Sequence, residues 1–167
     1  MPVFKTSGCG LELIGKSWIV VDGIAFDSCA IERRLTNSSH ITIKNCTFDN
    51  DASEGTWNLF VLTNSHYNII QNNTFIRRGP GATGNEGLDL DNSSYNLIEN
   101  NTFYGAEHYN VTLEYAGTHH NVFRNNVSHD AHGLFEIIGK SGSYSSPHRN
   151  LVEKNLFYHE RSHETAT

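Results

Sequence analysis

The chain has 167 residues, which is enough for one domain, and its formal net charge is −6. Hydrophobic residues make up 37% of it, and no run approaches the ~18 apolar residues that a membrane-spanning helix needs. The acidic balance disfavours nucleic-acid binding, because that function depends on clustered Lys and Arg. We therefore expect a single domain over residues 1–167, either whole or part of a longer repeat, with no membrane span.

A short motif recurs along the chain, in which an aliphatic strand is followed by Asn-Asn-Thr-Phe. Its clearest copies are residues 65–75 and 93–103, and weaker copies cover residues 18–26, 38–48, 121–128 and 150–157. The aligned positions are Phe26, Phe48, Phe75, Phe103, Ser128 and Phe157, with separations of 22, 27, 28, 25 and 29 residues. A motif that returns at a loose period of ~20–30 residues is typical of a solenoid.

Each repeat is predicted to consist of short strands and turns. The copies are rich in β-branched and aromatic residues, are interrupted by Asn and Gly, and show no helical periodicity. The doubled Asn residues suit tight turns, and their amides are expected to stack as a ladder between rungs, with Cys46 replacing Asn in one rung. One predicted interior column is Val21, Ile43, Ile70, Ile98, Phe123 and Val152.

This motif resembles the right-handed parallel β-helix repeat family, the architecture of pectate lyases, polygalacturonases, and alginate and chondroitin lyases. The resemblance covers about residues 11–158. It implies an all-β fold, a single-stranded right-handed parallel β-helix of about six rungs. It also implies an extracellular, carbohydrate-active protein that cleaves or binds an acidic polysaccharide, by lyase or glycosidase chemistry. The alternative is a non-catalytic β-helix module that binds glycan or spaces other domains.

The segment Gly10–Ser17 matches the pattern of a phosphate-binding P-loop, G-x-x-x-x-G-K-[ST]. A P-loop requires a flexible cradle that leads into a helix, whereas this segment is predicted to be a strand followed by another strand. We therefore expect no nucleotide cofactor.

Four carboxylates are predicted to point outward from the first strand of three successive rungs: Asp89, Asp91, Glu114 and Glu136. Strands on adjacent rungs lie ~5 Å apart, so these groups should be close together. They predict either a Ca²⁺ site, with Asp91, Glu114 and Glu136 as ligands, or an acid–base pair for glycosidic cleavage that includes Asp89 and Asp91. A solvated polar face is the simpler alternative.

His108 and His132 precede the strands of Glu114 and Glu136, and are candidate general bases or metal ligands. The segment 136–141 also resembles part of the alginate and chondroitin lyases, which implies Ca²⁺ on Glu114 and Glu136 and a basic role for Lys140. The chain departs from that family at its acid Arg and its Arg-His pair, which have no clear match. The adjacent Asp-Asp pair of polygalacturonases is missing as well.

The ends of the predicted solenoid carry no recognisable capping helix. End-to-end self-association is therefore expected, since an open end exposes apolar core and strand edges. Residues 1–4 lead directly into repeat-like sequence, so we expect no signal peptide in this chain.

Overall fold

The computed structural model describes residues 3–4, 10–27, 33–50, 58–77, 86–139 and 146–160. These residues form nineteen β-strands and no helix. The strands belong to three sheets, and every ladder between named strands is parallel, as a coiled chain requires. The predicted all-β parallel solenoid is confirmed.

Successive strands of the chain join the three sheets in turn, giving sheets of six, six and seven strands in the described ranges. Sheet 1 consists of β2 (Glu12–Ile14), β5 (Arg33–Thr36), β8 (Asn58–Thr63), β11 (Glu86–Asp91), β14 (Val111–Glu114) and β17 (Glu136–Ile138). Sheet 2 consists of β3 (Val20–Asp22), β6 (Thr42–Lys44), β9 (Ile69–Gln71), β12 (Leu97–Glu99), β15 (Val122–Arg124) and β18 (Leu151–Glu153). Sheet 3 consists of β1 (Val3–Phe4), β4 (Ala25–Asp27), β7 (Thr47–Asn50), β10 (Thr74–Arg77), β13 (Thr102–Tyr104), β16 (Val127–His129) and β19 (Leu156–Tyr158).

The core is a set of columns in which equivalent residues of successive rungs stack. Ile98 pairs with Ile70 on one side and Phe123 on the other, and all three are fully buried, as predicted. The phenylalanines of sheet 3 form a second column, with ring centroids 4.8 to 5.2 Å apart. Ser128 takes the place of Phe in this column, and its hydroxyl donates to the carbonyl of Leu134.

Buried Asn ladders connect the rungs at the turns. The Asn101 amide nitrogen donates 3.1 Å to Oδ1 of Asn126, and its backbone N–H donates 2.9 Å to the same oxygen. The ladder begins at Cys46, whose backbone N–H donates to Oδ1 of Asn73, so the predicted replacement is confirmed. A second ladder consists of Asn68, Asn96, Asn121 and Asn150. Because both donors and acceptors of these amides are used, the ladders fix the register of the rungs.

The P-loop-like segment 10–17 contains strand β2 and a turn at Gly15, and the next element is strand β3. The strand–turn–strand form predicted for it is therefore confirmed. At the other end of the described solenoid, the inward positions of the last rung are partly exposed: Ile137 by 50%, Val152 by 38% and Phe157 by 41%. End-to-end association through such residues stays a prediction. In the described ranges, no helix has the length and apolar character needed to cross a membrane.

Candidate acidic site on sheet 1

An acidic cluster, defined here as Asp89, Asp91 and Glu114, lies on the outward face of sheet 1. In β11, Leu88 and Leu90 point into the core, so the intervening aspartates alternate to the outside. Asp91 is the direct partner of Glu114 in the parallel ladder. One oxygen from each of the three carboxylates lies within 4.8 Å of the others. The predicted proximity of Asp91 and Glu114 is thus confirmed.

The cluster is largely hidden from solvent, since Asp89 is 4% exposed and Glu114 is 5% exposed. Asn58 of β8 donates a 2.8 Å hydrogen bond from Nδ2 to Oδ2 of Asp89. Thr112, the partner of Asp89 in β14, is fully buried, and its Oγ1 has no hydrogen-bond partner in the described part of the chain. Carboxylate and hydroxyl oxygens are hard ligands, so this donor set fits Ca²⁺.

A carboxylate–imidazole pair lies at the start of the same strands. The Nδ1 atom of His108 is 2.9 Å from Oε1 of Glu86, and the side chains are 38% and 10% exposed. Burial raises the pKa of Glu86, the hydrogen bond from His108 offsets part of that rise, and the negative charge of Glu114 adds to it. The pair is therefore electrostatically coupled to the acidic cluster.

Two other candidates from the sequence, His132 and Glu136, do not belong to this cluster. Tyr109 and Gly133 form an isolated parallel β-bridge, so the residues that precede them, His108 and His132, have equivalent positions one rung apart. His132 is exposed and lines a separate groove. Glu136 is paired with Thr112 and does not belong to the group of close carboxylates. Lys140 lies outside the described residues.

Three contributors were not among the sequence candidates: Glu86, Asn58 and Thr112. Glu86 has the same strand parity as Leu88 and Leu90, so simple alternation assigns it to the interior. Only its contact with His108, a residue 22 positions later, identifies it. Thr112 does alternate outward with Glu114, and its position between Asp89 and Glu136 in the ladder was a signal that could have found it.

Comparison with known proteins gives one match. A protein-family model described as a right-handed β-helix region matches residues 3–158. No curated protein matches the sequence, and no solved structure matches it either. The family match agrees with the three parallel sheets and carries no statement about substrate.

Proposed function

Since the chain belongs to the right-handed β-helix family, we propose that it is an extracellular carbohydrate-active protein that binds an acidic polysaccharide along the outward face of sheet 1. We further propose that a divalent cation on the acidic cluster mediates this binding. His108 would accept the C5 proton of a bound uronate. The C5–H electron pair then forms the C4–C5 double bond as the C4–O bond breaks, and the departing oxygen takes a proton from water. The observation that carries the proposal is the convergence of Asp89, Asp91 and Glu114, with oxygens within 4.8 Å of one another.

The burial of the cluster favours a cation over direct contact with sugar. Carboxylates that are 4 to 5% exposed offer little surface to a polymer, whereas a cation requires only their oxygens as ligands. Asp89, Asp91, Glu114 and the hydroxyl of Thr112 would hold the ion. When bound, Ca²⁺ would neutralise these charges and attract the carboxylates of an acidic glycan, which a chain of net charge −6 otherwise repels.

The Glu86–His108 pair supplies the proton acceptor. We place the proton of this pair on Nδ1 of His108, because an ionised Glu86 can only accept a hydrogen bond, and this tautomer makes Nε2 the proton acceptor. Glu86 also stabilises the imidazolium that forms after proton transfer. With a side chain 38% exposed, His108 is accessible to a polymer lying over this face.

Glycosidase chemistry is a narrower alternative at the same face. Inverting enzymes place their carboxyl groups about 6.5–9.5 Å apart to admit a water, whereas retaining enzymes use about 5–5.5 Å. One oxygen from each carboxylate of the acidic cluster lies within 4.8 Å of the others, which is closer to the retaining than to the inverting separation.

The second candidate function is a non-catalytic glycan-binding module. It is favoured by the deep burial of Asp89 and Glu114, which suits an ion that stabilises the fold without contacting substrate. It predicts binding of the polymer without turnover.

The test incubates the chelator-treated full chain, with and without CaCl₂, with polygalacturonate and alginate. Binding is measured by calorimetry, and cleavage by new reducing ends and by the absorbance of unsaturated uronates. We expect Ca²⁺-dependent binding, and cleavage that falls by roughly 10²–10⁴-fold in His108→Gln. The matched control is His132→Gln, since His132 has the equivalent position one rung later and should be dispensable.

Each outcome decides between the candidates. Binding without any product supports the non-catalytic module. Cleavage that is unchanged in His108→Gln would show that His108 does not act in the reaction. Product formed equally well in chelator would exclude a role for the cation. Absence of both binding and cleavage on every acidic polymer would overturn the proposal.

A further inference from the structure

A second cluster of possible ligands lies on the outward face of sheet 3, away from the acidic cluster. It starts with His129 of β16, which is paired with Tyr104 of β13 and Tyr158 of β19. The imidazole is stacked between the two phenol rings, at centroid distances of 5.2 and 5.0 Å and interplanar angles of 17° and 3°. The plane of the imidazole is therefore fixed before any ligand binds.

The neighbouring Asp130 is held in place by two hydrogen bonds. Its Oδ2 lies 2.8 Å from Nδ1 of His129, and its Oδ1 accepts a 2.7 Å bond from the backbone N–H of Glu160. Asp130 also has a left-handed backbone, with φ of 49°.

The carboxylate of Glu160 completes the group. One ligand atom from each of His129, Asp130 and Glu160 lies within 4.8 Å of the others. The group borders a groove of about 490 Å³, to which both Asp130 and Glu160 contribute. The groove also carries His132, His159 and Glu107, so further nitrogen and oxygen donors line the space beside the group.

We propose that His129, Asp130 and Glu160 form a binding site for a divalent transition metal of the Zn²⁺ class, with its open side facing this groove. Two features carry the assignment. The donor set includes an imidazole nitrogen, which suits Zn²⁺, Cu²⁺ and Ni²⁺, whereas the all-oxygen acidic cluster on sheet 1 suits Ca²⁺. Three protein ligands beside an open groove leave a coordination position for water or a ligand.

The test is calorimetric titration of ZnCl₂ into the chelator-treated full chain. The first variant is His129→Phe, which keeps an aromatic ring between Tyr104 and Tyr158 but removes both nitrogens. The second is Asp130→Asn, since Asn also tolerates left-handed backbone and keeps an oxygen for the Glu160 N–H. We expect one tight Zn²⁺ per chain, weakened by roughly tenfold or more in each variant, the scale of a lost metal-site partner.

The matched control is His40→Phe, because His40 is likewise stacked between two aromatic rings, Trp18 and Tyr67. It should leave the tight Zn²⁺ site unchanged, and so should Glu114→Gln, which belongs to the acidic cluster. Thermal melts without metal establish that each variant folds, and if His129→Phe does not, Asp130→Asn decides. Tight Zn²⁺ binding retained in Asp130→Asn, weakened equally in His40→Phe, or absent from the wild-type chain would overturn the proposal.

Discussion

On the outward face of sheet 2, neighbouring rungs carry opposite charges. Nζ of Lys44 is 3.3 Å from Oδ2 of Asp22, and the guanidinium of Arg124 is 2.9 Å from Oε2 of Glu99. On the outward face of sheet 1, Asp91 is directly opposite Glu114, so a carboxylate faces a carboxylate. Like charges placed directly opposite one another destabilise a sheet, whereas opposite charges stabilise it slightly.

The two faces differ in burial as well as in charge pattern. The sheet 2 ion pairs are partly open to water, with Arg124 42% exposed, while Asp89 and Glu114 are almost completely buried. Since both sheets have the same rung spacing and belong to the same solenoid, the fold itself does not require buried, stacked carboxylates. Sheet 1 therefore places like charges side by side, where a bound cation would reduce their repulsion, and this distinguishes its outward face from that of sheet 2.

The inward faces of the two sheets are buried to the same extent. Substitutions there should cause the largest loss of stability. Leu90 of sheet 1 and Ile98 of sheet 2 are both fully buried in the same core. Leu90→Ala and Ile98→Ala should each lower the free energy of unfolding by about 2–5 kcal/mol, as large-to-small core substitutions do. Urea denaturation measures both, and a loss below about 0.5 kcal/mol for either would contradict the observed packing.

Removing a charge from the outward face should have opposite effects on stability in the two sheets. On sheet 1, the test is Glu114→Gln. Removing one of two opposed carboxylates should raise the stability of the calcium-free protein by up to about 1 kcal/mol. In wild type, CaCl₂ should raise the melting temperature in a concentration-dependent way, because the ion binds only the folded chain. The variant should lose that shift. Identical melting temperatures for both proteins, with Ca²⁺ and with chelator, would rule out the cation site.

The register of this solenoid could be predicted from the sequence, while part of the site could not. The Asn-Asn-Thr-Phe motif ties each strand to a turn, so aligning the motif also aligns Ile98 with Ile70 and Asp91 with Glu114. Glu86 follows no such rule, since its role depends on a single contact with His108 at the start of the strand. Contacts of this kind depend on side-chain conformation, which strand alternation does not determine.

Glu86 provides a pH test of the buried face. Its pKa is raised above the ordinary value of 4.5, mainly by burial. The folded state therefore binds the proton more tightly than the unfolded state, so this residue favours folding at low pH. That contribution is lost as the pH rises through the raised pKa. Glu86→Gln has no such titration. The free energy of unfolding of wild type, relative to that of Glu86→Gln, should therefore fall as the pH rises from 4.5 to the raised pKa, and should stay constant above it. A pH-independent stability difference would contradict burial of an ionisable Glu86.

The smallest effect is expected on sheet 2, where Arg124→Gln removes the pair with Glu99. Both Nε and Nη2 of Arg124 reach Oε2 of Glu99, but the side chains are partly exposed and water screens the attraction. The loss should be roughly 0.5 kcal/mol, as is usual for surface ion pairs, and it should shrink in high salt. Since Glu99 stays partly hydrated, the loss of stability in Arg124→Gln should be the same with and without CaCl₂. Urea denaturation at low and high NaCl, with and without Ca²⁺, measures how the stability contributed by each outward face depends on salt and on the cation. A calcium-dependent effect of Arg124→Gln, or a loss as large as that of Ile98→Ala, would mean that the charges of sheet 2 are coupled to the core or to the cation, and that the contrast between the two faces does not hold.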